Sequence, residues 1–142
     1  MSIRLRLIIA ALLVAGIGGF VAAGVLGNGS DGDVSISGNA AIDAIIPARG
    51  AEVLHQQTVG VDLAAPYRLT RIVISPTANP STGIDVTAEV EERAGLNLFE
   101  FSPGEGKLIE ALSPDTNCVF ITYVEIARPA DPAELDWCFE VA

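Results

Sequence analysis

The chain predicts an all-β fold, a sandwich of about seven short strands, preceded by a single N-terminal transmembrane helix or signal sequence. Three observations carry this expectation. Residues 7–26 are an unbroken run of apolar or small residues behind Arg4 and Arg6. After Gly38, β-branched residues and apolar alternation dominate, with no helical period longer than two turns. Pro and Gly then cut the chain into short segments at the spacing typical of a sandwich.

The first element is the apolar run. A helix of about 20 residues rising roughly 1.5 Å each spans about 30 Å, the hydrocarbon thickness of a bilayer. Arg4 and Arg6 lie before it, and only Asp31 and Asp33 follow closely. Flanking cations stay on the cytoplasmic side, so the N-terminus is expected inside and the remainder outside. The domain plan is a cytoplasmic stub (1–6), the membrane segment (7–26), a flexible Gly/Asn/Ser/Asp-rich linker (27–39) and an exported domain (40–142). On length the segment fits an uncleaved single-pass anchor, since signal h-regions run about 7–15 residues. The alternative is a cleaved signal, with Val21-Ala22-Ala23 as the site, which would make the domain secreted. Ala11, Ala15, Gly19, Ala23 and Gly27 recur at every fourth position. Such a strip lets helix backbones approach, so a homodimer through the span is an option, although Gly16, Gly18 and Gly24 dilute the strip.

The exported part holds about 110 residues, enough for one domain with a real core. Of eight cations in the chain, Arg4 and Arg6 precede the span, leaving six against eighteen carboxylates. That imbalance argues against nucleic acid and against docking on anionic lipid, because both carry the same sign as the domain. The two cysteines, Cys118 and Cys138, meet an oxidising compartment if the domain is exported, and an even pair there forms a disulfide. Their spacing matches no zinc pattern.

Strands are expected at 52–54, 58–63, 69–74, 84–89, 96–101, 107–111, 119–126 and 135–141, with a further small edge strand at 34–36 and a short helical turn as an alternative over 88–94. The last two strands allow a parity argument. Val119, Ile121 and Tyr123 share one face, and Trp137, Phe139 and Val141 share another, so these six are expected to meet in the core. Cys118 and Cys138 then fall on the opposite parity, nearly facing one another in a hairpin around Arg128. Reducing that bridge is expected to loosen the hairpin rather than unfold the whole domain.

Two segments carry a family resemblance. Residues 112–118, Leu-Ser-Pro-Asp-Thr-Asn-Cys, resemble the Leu-x-Pro-x-Thr-x-Tyr corner before the sixth strand of fibronectin type III and related Ig-like domains, with Cys118 in place of the Tyr. Residues 46–54, Ile-Pro-Ala-Arg-Gly-Ala-Glu-Val-Leu, followed by Val-Gly-Val-Asp-Leu at 59–63, are similar to the opening strands of bacterial Ig-like domains of the copper-resistance CopC type. The resemblance covers about a third of the exported part and implies an Ig-like β-sandwich. It implies copper binding only where a mature N-terminal His and its partner ligands are present, and this sequence lacks them.

The inventory of reactive residues is short. His55, the single imidazole, lies beside Gln56 and Gln57 in an expected turn and has no metal-ligand neighbours in sequence. No Gly-x-Ser-x-Gly elbow is present. Asn28, Ser30, Asp31 and Asp33 lack the bidentate Glu of a calcium loop, and Pro103-Gly104-Glu105-Gly106-Lys107 lacks phosphate-loop spacing and reads as a hairpin turn. No catalytic, cofactor-binding or metal residue is therefore assigned, and the protein is not expected to be an enzyme. Two functions fit. One is a membrane-tethered, non-catalytic Ig-like module that binds a protein or acts structurally, with loops 75–83 and 128–134 as the surfaces to test. The other is a secreted or periplasmic carrier of a small ligand or metal of the copper type.

Overall fold

The computed structural model describes residues 34–142. The stub, the membrane segment, its small-residue strip, the cleavage site near Ala23 and the Asn28 to Asp33 stretch lie outside the described residues. Among those described, no helix is long and apolar enough to cross a membrane.

Among the described residues, nine strands form two sheets. The four-stranded sheet has the order β1-β3-β7-β6 and the five-stranded sheet β2-β9-β8-β4-β5. In chain order the strands are β1 (Ile42–Ile46), β2 (Glu52–Val53), β3 (Val59–Leu63), β4 (Tyr67–Ser75), β5 (Ile84–Asp85), β6 (Glu91–Arg93), β7 (Leu98–Phe101), β8 (Asp115–Glu125) and β9 (Arg128–Val141). The expectation of an all-β sandwich holds. β1 and β2 behave as one strand that changes sheets. β1 pairs antiparallel with β3, the chain passes the cis Ile46–Pro47 bond, and β2 then pairs parallel with the end of β9.

The core between the sheets is built as the pleat requires, with alternate residues pointing inward. Val59, Val61 and Leu63 of β3 and Phe99 and Phe101 of β7 face Val119, Ile121 and Tyr123 of β8 and Trp137, Phe139 and Val141 of β9. All six residues of the parity argument are buried. Two strands depart from strict alternation. Ile42 and Ile45 both enter the core although three positions apart, and so do Leu69 and Ile72. Register shifts between Ile42 and Ala44, and between Leu69 and Arg71, explain both, because a bulge reverses facing downstream of it.

One close approach depends on glycine. Gly60 sits opposite Glu100, and a Cβ there would lie 2.5 Å from the Phe99 carbonyl oxygen and 3.2 Å from Glu100 Cγ. The Glu100 side chain, only 16% exposed, pairs with Arg93.

Several expected boundaries change. Residues 34–36 belong to a single helical turn, α1 (Val34–Ser37), not to an edge strand. β1 lies where no strand was expected. Residues 107–111 form no strand. Backbone groups in and beside the segment are engaged elsewhere, with the Lys107 N–H donating to Gly104 O, Gly104 N–H to Ile109 O and Leu108 N–H to the Glu89 carboxylate, so they do not pair with a strand. The turn at 105–106 therefore sits inside a long loop and joins no hairpin. The 84–89 segment splits into β5 and a 3-10 turn, Thr87–Glu89, and β6 follows at Glu91–Arg93. Finally, 128–134 is not a loop. It is the first half of β9, which tolerates Pro129 and Pro132 because its outer edge there has no strand partner among the described residues.

Candidate functional site

The sandwich has two ends. At the entry end β1 starts, β3 stops, β4 and β7 start, β8 stops and β9 starts; the far end holds β2, β5 and the loop between β7 and β8. The chemistry-bearing residues divide between the ends and the outer face of the five-stranded sheet.

That outer face carries the disulfide. Cys118 and Cys138 are direct register partners with their Cα atoms 4.0 Å apart and their sulfurs bonded. Cys118 is buried, and both positions fall on the parity opposite to Trp137. Elsewhere on this sheet, Arg71 Nε donates to Asp85 Oδ2 at 2.8 Å, and the Thr87 hydroxyl donates to Asp85 Oδ1 at 2.6 Å. The Arg71 guanidinium first, and the Thr87 hydroxyl second, hold the Asp85 carboxyl below the usual carboxylate range.

The far end has a hollow of about 250 Å³, bordered by Ile74, Ser75, Ile84, Leu108, Glu110 and Asn117. Its walls are fixed from both sides. Ser75, fully buried at the end of β4, donates to Asn79 O at 2.9 Å and meets the Thr82 hydroxyl at 2.9 Å. Those bonds, with Asn79 Oδ1 accepting from Ser81 N–H, knit loop 75–83 onto the sheet. Across the hollow, buried Asn117 accepts from Ser113 N–H at 3.2 Å and donates to Ser113 O at 2.7 Å. Asn117 thus ties the corner back on itself, the role that a Tyr plays in the pattern to which 112–118 was likened. Leu54, Ile84 and Leu108 stand exposed around this end. His55 joins it through its backbone, its carbonyl accepting from Leu112 N–H at 2.8 Å, while its side chain is exposed in the turn after β2.

This arrangement offers a partly apolar recess with a carboxylate, Glu110, on its lip and an imidazole on the same end. It is suited to holding a small ligand or an apolar side chain. Among the described residues, no group of three or more His, Cys, Asp or Glu side chains stands where it could hold a metal ion. Trp137 Nε1, buried in the core, has no hydrogen-bond partner.

No protein-family model and no curated protein matches the chain. Among solved structures, PcoC, a methionine-rich copper resistance protein from Escherichia coli, aligns at a TM-score of 0.52 and 18% identity, covering 72% of this chain and 97% of that one. The fold is similar to that of PcoC. The selenomethionine form of the same protein aligns at 0.49 and 14% identity over 71% of this chain and 98% of that one. The likeness bears out the CopC-type sandwich. The two differ in composition, since this chain contains one methionine, Met1, where that protein is methionine-rich.

Sequence reasoning found the disulfide and placed His55 at the surface. It missed Ser75 and Asn117. Both are polar residues at the edge of apolar runs, Ser75 after Ile72-Val73-Ile74 and Asn117 before Cys118-Val119, and that break in pattern is the available signal.

Proposed function

We propose that this protein is a non-catalytic binding domain working outside the cytoplasm, delivered there by residues 7–26. Within that class the carrier reading is the better supported, and the single observation behind it is the likeness to a copper resistance protein over nearly that protein's whole length. The cargo is a small ligand or metal ion received at the far end, where the recess, Glu110 and His55 lie. Its donors differ from a methionine-rich set. Among the described residues both cysteine sulfurs are locked in the bridge, which leaves imidazole and carboxylate oxygen, a set suited to borderline and hard cations. Equilibrium dialysis of the purified protein against Cu(II), Cu(I) under reducing exclusion of air, Zn(II) and Ca(II), followed by metal analysis, tests this. One retained equivalent that falls on His55→Ala or Glu110→Gln supports the carrier reading, and no retained ion of any kind overturns its metal form.

The second reading is a tethered module that binds a protein. It draws on the exposure of Leu108 at 55% on the recess and of Leu54 at 74% at the same end, since exposed apolar side chains gathered on one face mark contact surfaces. Crosslinking in intact cells separates the two: a captured partner lost on Leu108→Asp, with no metal retained, favours the module.

A further inference from the structure

The entry end carries a second apolar patch. Leu96, 63% exposed, tops the turn between β6 and β7, and Ile126, 60% exposed, tops the turn between β8 and β9. The two turns belong to different sheets, and the link from β3 to β4 connects them. Asn97, at φ 53°, donates from Nδ2 to the carbonyls of Leu63, Ala64 and Tyr67 at 2.8, 3.0 and 2.9 Å. Ile126 N–H donates to Pro66 O at 2.8 Å. Leu96, the exposed Ala65 and Pro66, and Ile126 therefore form one bonded crest across the end of the sandwich.

The length of the link to the apolar run bears on what this crest meets. The apolar run ends at Leu26, and only residues 27–33 separate it from α1, whose Ile36 packs on the core at this same end through Asn39 and Ala41. Seven extended residues reach at most about 25 Å. Charge points the same way. Arg68, Arg93 and Arg128, half of the described domain's six cations, lie at this end, whereas Glu52, Glu89, Glu105, Glu110, Asp115 and Glu140 belong to the far end. Arg93 and Arg128 are paired with Glu100 and Glu125, and Asp43, Asp62 and Asp131 flank them, so the crest carries a small net negative charge and is less acidic than the far end.

We infer that the entry end is a membrane-resting surface: Leu96 and Ile126 insert shallowly into the outer leaflet, arginines at headgroup level, and the far end is presented away from the bilayer. Apolar side chains flanked by cations seat in this way at about 5–10 Å depth. The inference rests on the tethered reading of residues 7–26. The test is full-length protein reconstituted in phosphatidylcholine vesicles whose acyl chains carry bromine, a contact quencher of tryptophan. The native Trp137 is fully buried and supplies a constant background. Leu96→Trp and Ile126→Trp are expected to be quenched at least about twofold more than Leu108→Trp at the far end. Equal quenching at all three sites, or none at 96 and 126 while the protein floats with the vesicles, overturns the inference and leaves the tether standing. Protein that fails to float with the vesicles overturns both.

Discussion

Opening the Cys118–Cys138 bridge should lower the melting temperature by about 14 °C and leave the domain folded at room temperature. The bridge spans a sequence separation of 20 residues. Closing a loop of that size removes roughly 11 cal/mol/K of entropy from the unfolded chain, about 3.3 kcal/mol at 25 °C. A domain of about 110 residues unfolds with an entropy near 0.23 kcal/mol/K, which converts that loss to about 14 °C. The native ladder does not need the bridge to exist, because β8 and β9 stay paired from Asp115↔Val141 to Glu125↔Arg128. With about 5–15 kcal/mol of stability typical for a domain, the reduced form remains folded. The loosening is not confined to the hairpin, however. β9 places Trp137, Phe139 and Val141 in the core, so the hairpin cannot open without dismantling it, and one cooperative transition is expected. Melting followed by far-ultraviolet circular dichroism, with and without a phosphine reductant and on the Cys118→Ala/Cys138→Ala double variant, checks this. A shift below about 4 °C, two separate transitions, or a reduced protein unfolded at 25 °C would refute the reasoning.

Asn117→Ala removes both bonds to Ser113 inside a buried corner and should cost about 1–3 kcal/mol by urea denaturation, with Asn117→Asp worse than neutral because it loses the donor to Ser113 O; a cost under about 0.5 kcal/mol would mean the corner holds without it. Asp85 gives a pH dependence. Its folded-state pKa lies below the unfolded value of 3.8, so its contribution is present above that value and is lost as pH falls through the lower folded one. Asp85→Asn should therefore be slightly less stable than the native chain near pH 7 and equal to it in strong acid. The gap is small because Arg71 and Asp85 side chains are 58% and 46% exposed. Denaturation curves that stay separated by the same amount from pH 7 down to pH 2 would argue against the pairing.

The sheet class and the core face of the last hairpin were legible because they rest on strict alternation, which β8 and β9 keep from Val119 to Tyr123 and from Leu135 to Val141, and the bridge because an even cysteine pair in an exported chain oxidises. β1 escaped because Ile42 and Ile45 enter the core from opposite parities, so the segment lacks period two, and Ile42, Ile45 and Ile46 carry instead the i, i+3, i+4 spacing of a helical turn. The segment 107–111 failed in the other direction. Leu108 and Ile109 have strand-like propensity, but their backbone groups bond to Gly104 and to the Glu89 carboxylate outside any ladder, and propensity is the weaker influence. Pro129 and Pro132 read as a loop because prolines are excluded from paired interior strands; the missing fact was that β9 outgrows its neighbour and runs as an edge there. The recess could not be anticipated, since its walls come from four separate segments brought together only by the two-sheet packing.

The sheet-changing strand has a mechanical consequence. Because β2 runs parallel to the end of β9, a pull that separates Val34 from Ala142 acts along the strands and not across them. Gly50 to Cys138, Glu140 to Ala51 and Ala142 to Val53, bonded at 2.8, 2.8 and 3.0 Å, then share the load together instead of parting one after another. Loaded in shear, such a seam resists force far better than its two-residue length suggests.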